Sequence, residues 1–268
     1  MTAESFIAVA DGGAELQAWS YGAGPETLLL VSGLGGTAGF WKGVTPSLAE
    51  ERRVLCFDQR GIGASTRGRA AVTIEQLARD CLAALDAADV ERCLVLGHST
   101  GGCICQTLAR IAPERATGLI LSATWMRPSR YMGALFGARR ELLEALPSTY
   151  TATSALLSYP PEWLEENWHV YDSTIANAPA TREAADIIRE RIDALLAFDG
   201  SADAQALNLP ALVLGARDDI IVPPFLQEEL RAALPSAKLT MLDSGGHFFP
   251  LTRGKRFVAE VSRWIAAR

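Results

Sequence analysis

The chain is poor in several features that mark large functional classes. Positive charge is in deficit: 25 lysines and arginines face 31 aspartates and glutamates, a formal net charge of −6 over 268 residues. That balance gives no reason to expect nucleic acid or an anionic membrane as a partner. The longest apolar runs are strand-sized, far below the roughly 20 residues of a membrane-spanning helix. The first residues, Met1-Thr2-Ala3-Glu4-Ser5, have neither a basic n-region nor an apolar h-region. No secretory leader is therefore expected, and the cytoplasm is the expected compartment. The cysteines number five, an odd count, and most fall in predicted strands or helices. They read as buried free thiols in a reducing compartment. Cys103 and Cys105 stand two apart on a predicted helix and do not face each other, so packing is expected of them rather than metal or redox chemistry. Neither metal-ligand spacing nor a G-x-x-x-x-G-K-[ST] phosphate loop occurs, and no metal and no cofactor are expected. Histidine is scarce too, with three, which narrows the choice of a catalytic base.

What is present fits one large α/β unit. Hydrophobic residues make up 49% of the chain and charged residues 21%, ample for a sizeable core. Phe6–Val9 and Glu15–Ser20 read as a hairpin around Asp11-Gly12-Gly13. Thr27–Val31, Arg53–Phe57, Cys93–Leu96, Thr117–Leu121, Ala211–Leu214 and Lys238–Leu242 read as further strands. The continuous apolar run at Thr27–Val31 suits a strand buried on both faces. Helices are predicted over Trp41–Glu50, Thr73–Ala88, after Gly101, over Phe225–Leu234 and over Phe257–Ala267. Thr73 and Gln76 form a capping-box pair. This alternation predicts a doubly wound, mostly parallel, eight-stranded sheet. It breaks between Trp125 and about Ala206, a helical, aromatic-rich stretch without a strong strand. Residues 125–206 are therefore expected to form a helical cap inserted into a core made of residues 1–124 and 207–268.

The most informative five residues are Gly97-His98-Ser99-Thr100-Gly101. A serine between two glycines, at the corner from a predicted strand into a predicted helix, is a nucleophile elbow. The turn is too tight for side chains two residues either side of the serine. It lifts the hydroxyl above the sheet edge, and the helix that follows aims free N–H groups at the same place.

Such a serine needs a base, and the base needs an orienting acid. His98 lies inside the elbow, so its side chain is expected to point away from Ser99. His169 lies in the presumed cap. His247, in Ser244-Gly245-Gly246-His247-Phe248 after the last predicted strand, lies where loops gather at the carboxyl ends of a doubly wound sheet; it is the expected base. The acid is expected after the preceding strand, in the chain order Ser, then Asp or Glu, then His. Asp218 and Asp219 compete there. Asp218, three residues after Gly215, is the expected acid; Asp219 would cap a helix or pair with a basic neighbour. The oxyanion donors are expected to be the backbone N–H groups of Thr100 and Leu34. Gly33, Gly35 and Gly36 let that second loop approach a substrate closely. Trp125, Tyr159, Trp163, Trp168 and Phe248 are candidates for lining a substrate pocket. Arg127 and Arg130 are candidates for holding a substrate carboxylate.

With these residues assembled, the chain resembles the α/β-hydrolase superfamily along nearly its whole length. The resemblance rests on Ser32-Gly33-Leu34-Gly35-Gly36, Asp58-Gln59-Arg60-Gly61-Ile62-Gly63, Gly97–Gly101, Gly215–Pro223 and Gly245-Gly246-His247. Within it, Leu157-Ser158-Tyr159-Pro160-Pro161-Glu162-Trp163 and Arg217–Pro223 look like the aminoacrylate hydrolases of pyrimidine catabolism. The enol-lactone hydrolases of aromatic catabolism are similar in core and size. Ser32 stands where many relatives carry histidine, which leaves the backbone donors untouched. The expectation is a serine hydrolase that cleaves a small carboxylic ester or lactone through an acyl-enzyme, its partner a small-molecule substrate. The alternatives are aminoacrylate-type C–N hydrolysis, C–C hydrolysis of a diketone with the same triad, and a ligand receptor that keeps only the fold. The intact Ser, Asp and His argue against the last. Composition and motifs carry no statement of oligomeric state.

Overall fold

In the computed structural model, which describes residues 3–268, the central sheet is ordered β1-β2-β4-β3-β5-β6-β7-β8. Its strands are β1 (Glu4–Ala10), β2 (Ala14–Tyr21), β3 (Thr27–Val31), β4 (Arg53–Phe57), β5 (Cys93–His98), β6 (Ala116–Ser122), β7 (Ala211–Ala216) and β8 (Ala237–Leu242). The β1–β2 and β2–β4 pairs are antiparallel and every other pair is parallel. The sheet is thus doubly wound and mostly parallel, and its strand order turns back between β3 and β5, which lie side by side.

The apolar runs explain which strands are central. β3, β5 and β7 are buried along their whole length, as continuous apolar sequence requires when both faces are covered. Period-two geometry then divides each strand between two cores. Leu29, Val31 and Val95 face one core, shared with helices α2 (Ile74–Ala87) and α3 (Thr100–Ile111). Leu28, Leu30, Leu94 and Leu96 face the other, closed by Trp41, α1 (Thr45–Leu48) and, at the far end of the chain, Phe257 and Trp264. The region expected as one helix over Trp41–Glu50 is broken: a 3-10 turn at Ala38–Trp41 precedes the short α1. In α2 the capping box is half made. Thr73 accepts from the Gln76 N–H, but the Gln76 side chain turns away to Asp80.

Among the described residues, the chain between β6 and β7 is helical and adds no strand. It forms α4 (Arg130–Ala145), α5 (Pro147–Ser158), α6 (Pro161–Glu166), α7 (Trp168–Ala176), α8 (Arg182–Ala197) and α9 (Ser201–Ala204). The two ends of this insertion meet, with the Gly200 N–H donating to the Met126 carbonyl at 2.8 Å. After β7 come α10 (Pro224–Ala233), β8, α11 (Phe249–Thr252) and α12 (Gly254–Ala266). No described helix is long and apolar enough to cross a membrane.

Candidate active site

The parallel strands all end on one side, and there the loops after β3, β5, β7 and β8 converge, as the doubly wound topology requires. Ser99, at the corner between β5 and α3, has φ 56° and ψ −125°, a backbone region costly for a residue with a side chain. The neighbours show what holds it there. A Cβ on Gly97 would stand 2.2 Å from the Gly101 carbonyl oxygen, and one on Gly101 would stand 2.1 Å from that of Val31. Both positions must be glycine for β5, α3 and β3 to close on each other. The Ser99 N–H is fixed by the Ser122 carbonyl at 2.8 Å.

From Ser99 a line of hydrogen bonds runs inward. Its Oγ lies 3.0 Å from His247 Nε2, and His247 Nδ1 lies 2.8 Å from Asp219 Oδ2. An ionised carboxylate only accepts, so Nδ1 carries the ring proton and Nε2 accepts from the serine hydroxyl. That is the tautomer in which the imidazole can take a proton from Ser99. All three side chains are buried.

The carboxylate that bonds to His247 is Asp219, not Asp218 as the sequence led one to expect. Asp219, only 2% exposed, meets His247, while its neighbour Asp218 is exposed. Asp219 Oδ1 also accepts from the N–H groups of Ile221 and Val222, each at 2.9 Å. Asp218 is occupied differently: its two oxygens accept from the N–H groups of Gly245 and Gly246 at 3.0 and 2.9 Å. It holds the loop that carries His247, and Asp219 holds the ring. Spacing from Gly215 could not distinguish two adjacent carboxylates that bond to neighbouring parts of the same loop.

His98 behaves as expected in not bonding to Ser99. It lies fully buried with Nδ1 sharing a 3.0 Å hydrogen bond with Ser122 Oγ. Its ring stacks on Phe40 and lies 5.0 Å from that of His247, centroid to centroid. Burial, and then the proximity of His247, hold its pKa well below the usual 6.5. A neutral His98 places no second positive charge beside the His247 ring. His169 is exposed on α7.

The loop after β3 approaches Ser99 closely. A Cβ on Gly33 would stand 2.9 Å from Ser99 Cβ and 3.5 Å from its Oγ. Among the described residues, the Leu34 N–H donates to no protein group, and the Thr100 N–H, in the first turn of α3, has no intrahelical acceptor. The Asp58-Gln59-Arg60 run after β4 secures this loop. Asp58 accepts from the Ala38 N–H at 2.8 Å. The Gln59 N–H donates to Gly36, and its side chain donates to the Ser32 carbonyl at 2.7 Å. Arg60 makes a buried two-point pair with Asp80 on α2.

Of the aromatic candidates, three come together. Tyr159 stacks on Trp163 at 5.0 Å and meets Phe248 edge-on at 5.2 Å. Phe248 in turn lies 5.6 Å from His247 and 5.4 Å from Phe40, a member of the group that the sequence did not single out. This joining of insertion and core is backed by the Phe248 N–H, which donates to the Ser158 carbonyl at 3.0 Å. Trp125 and Trp168 do not belong to it. Trp125 is fully buried in the core beside α3, because it follows β6 before the insertion leaves the sheet. Trp168 is 45% exposed and stacks on Tyr171. Arg127 and Arg130 are also on the surface. The arginine at the site is one that sequence reasoning missed: Arg191 on α8, whose side chain reaches Gly33, Leu34 and Gln59. Its signal was a cation in the apolar stripe of α8, beside Ile192 and Leu195. Among the described residues no group of three His, Cys, Asp or Glu side chains is placed to hold a metal.

The sequence pattern of the alpha/beta hydrolase fold matches residues 26–253. The chain is 36% identical over 239 residues to a RutD protein of Azorhizobium caulinodans, named provisionally as a carbamate hydrolase, covering 89% of this chain and 90% of that one. It is likewise 36% identical over 244 residues to the RutD of Variovorax paradoxus, covering 90% and 92%. Among solved structures, a hydrolase from Pseudomonas aeruginosa PA01 superposes with a TM-score of 0.87 at 28% identity over 98% of both chains. The enol-lactonase from Burkholderia xenovorans LB400 gives the same TM-score at 24% identity, covering 97% of this chain and all of the other.

Proposed function

The chain belongs to the alpha/beta hydrolase fold family, and within that family we propose that it is a serine hydrolase cleaving a small carboxylic ester or lactone through an acyl-enzyme. The observation that carries this reading is the unbroken line Ser99–His247–Asp219, at 3.0 and 2.8 Å. In the reaction, Ser99 Oγ attacks the substrate carbonyl as His247 Nε2 takes its proton. Asp219 stabilises the resulting imidazolium. The N–H groups of Leu34 and Thr100 receive the charge that forms on the carbonyl oxygen, the largest single contribution in such chemistry. His247 then protonates the leaving oxygen, and a water activated by the same ring releases the acid. Residues 125–206 act as the cap, with Tyr159, Trp163 and Phe248 shaping the acyl site beside His247.

A second reading, cleavage of a carbamate C–N bond, is favoured by the name of the RutD relatives, and the aminoacrylate-type alternative is of the same C–N class. The steps at Ser99 and His247 would be the same in the ester and carbamate readings. One experiment separates these possibilities: fluorophosphonate labelling of the wild type and of Ser99→Ala, followed by turnover of p-nitrophenyl esters, lactones and carbamates. Labelling at Ser99 with preferred turnover of esters or lactones is expected. Preference for carbamates transfers the reading to C–N cleavage, and an unlabelled wild type ends the serine mechanism.

A further inference from the structure

Arg191 is fully buried, and among the described residues no carboxylate lies within 4 Å of its guanidinium. A cation in that position is costly unless polar groups replace water. Three oxygens do so, two of them in the candidate oxyanion loop and the third on Gln59, which braces it. Nε donates to the Leu34 carbonyl at 2.8 Å, and Nη2 donates to the Gly33 carbonyl at 3.1 Å and to Gln59 Oε1 at 2.5 Å. Burial lowers its pKa from 12.5 to about 10, so the side chain is still charged near neutrality. Gly36, with φ +66°, leaves the room it occupies; a Cβ there would stand 3.1 Å from Nη2.

One of these contacts has a chemical meaning beyond tethering. The Gly33 carbonyl and the Leu34 N–H belong to the same planar, trans peptide unit and point in opposite directions. A cation held on the oxygen fixes the direction of the N–H, and in a low-dielectric setting it draws electron density from the nitrogen and strengthens the N–H as a donor. The second bond, to Leu34 O, fixes the next peptide plane. Gln59 holds the fork from behind while its amide nitrogen holds Ser32. A lysine could keep the charge but not the three-way fork.

We infer that Arg191, although carried by the insertion, is a positioning residue for the core's oxyanion hole: it aims and polarises the Gly33–Leu34 peptide. This rests on the serine-hydrolase reading above, in which that N–H receives the oxyanion. The insertion would then complete the catalytic machinery as well as cover it.

The test uses Arg191→Met and Arg191→Lys. Both are measured on a neutral p-nitrophenyl ester and on an ester of equal acyl length bearing a free carboxylate. Circular dichroism checks the fold, and inhibition by a trifluoromethyl ketone reports oxyanion binding. With the Met variant, kcat on the neutral ester should fall by about 10²-fold, in the range found when one oxyanion donor is lost. KM should stay within about threefold, and the ketone should bind more weakly by a factor matching the loss in kcat/KM. With Lys the losses should be intermediate, and this variant decides the matter if the Met protein does not fold. Unchanged kcat on the neutral ester in a folded variant overturns the inference. So does a loss confined to KM of the carboxylate ester, which would make Arg191 a binder of substrate charge. Failure of the underlying reading shows elsewhere: the wild type itself would then not label at Ser99, and both proposals fall together.

Discussion

Asp219 holds His247 through one carboxylate oxygen at 2.8 Å and anchors the other on the N–H groups of Ile221 and Val222. Asp218, one residue earlier, makes no hydrogen bond to the ring and instead ties down Gly245 and Gly246. The two adjacent carboxylates therefore lead to different expectations. Asp219→Asn should lower kcat by about 10³–10⁴-fold with little loss of fold, because the imidazole loses both its tautomer and its stabilising charge. Asp218→Ala leaves two peptide N–H groups without their acceptor, at about 1–3 kcal/mol. It should lower Tm and cost much less activity than the change at 219. Thermal melts and ester kinetics on the pair check both statements.

The tryptophans divide in the same way. Trp163→Ala opens the aromatic group that reaches His247 through Phe248, and should change the kcat/KM ranking among acyl sizes by about 10–200-fold. Trp168→Ala, on an exposed stack with Tyr171, should leave the ranking unchanged. Trp125→Ala should cost about 3–5 kcal/mol of stability, since it empties a fully buried site. Urea titration and a substrate panel separate the three outcomes.

The cysteines should be silent in the native protein. All five are free and buried. Burial pushes the thiols of Cys56, Cys93 and Cys103 up to about 12, and holds those of Cys81 and Cys105 well above the ordinary range. The thiolate is the reactive form. Iodoacetamide at pH 8 should therefore leave the folded chain unmodified and alkylate all five sites in guanidinium. Rapid modification of the native protein would show that one of these sites opens.

His98 makes stability depend on pH in one direction. Folded, its ring resists protonation; unfolded, it titrates near 6.5. Below that value the unfolded chain binds a proton that the folded chain refuses, so stability is lost as the pH falls and is insensitive to this group above it. His98→Gln, which keeps a polar partner for Ser122, should flatten that part of the profile relative to wild type between pH 8 and pH 5. Parallel curves for the two proteins would remove His98 as the cause.

Much of this was local enough to read from the chain. The buried runs Thr27–Val31 and Cys93–Leu96 announce central strands because both faces must be apolar. The elbow declares itself through Gly97 and Gly101 because the backbone there leaves no room for a Cβ. His247 stood out by the scarcity of histidine and its place after the last strand. The sheet class followed from the alternation of strands and helices.

What the sequence could not decide were relations between distant segments. Asp218 and Asp219 are chemically identical neighbours, and their partners separate only when the His247 loop, 28 residues onward, folds back and meets one with its backbone and the other with its ring. Trp125, Trp163 and Trp168 are the same residue type, and packing puts one in the core, one beside the site and one on the surface. Arg191 shows the point most fully. Its partners at Gly33 and Leu34 lie 158 and 157 residues away, and nothing local to α8 names them. Sequence fixes directly what hard-sphere sterics and hydrophobic periodicity impose over a few residues. Which polar group finally satisfies a buried charge is settled only when the insertion closes on the sheet and water is expelled.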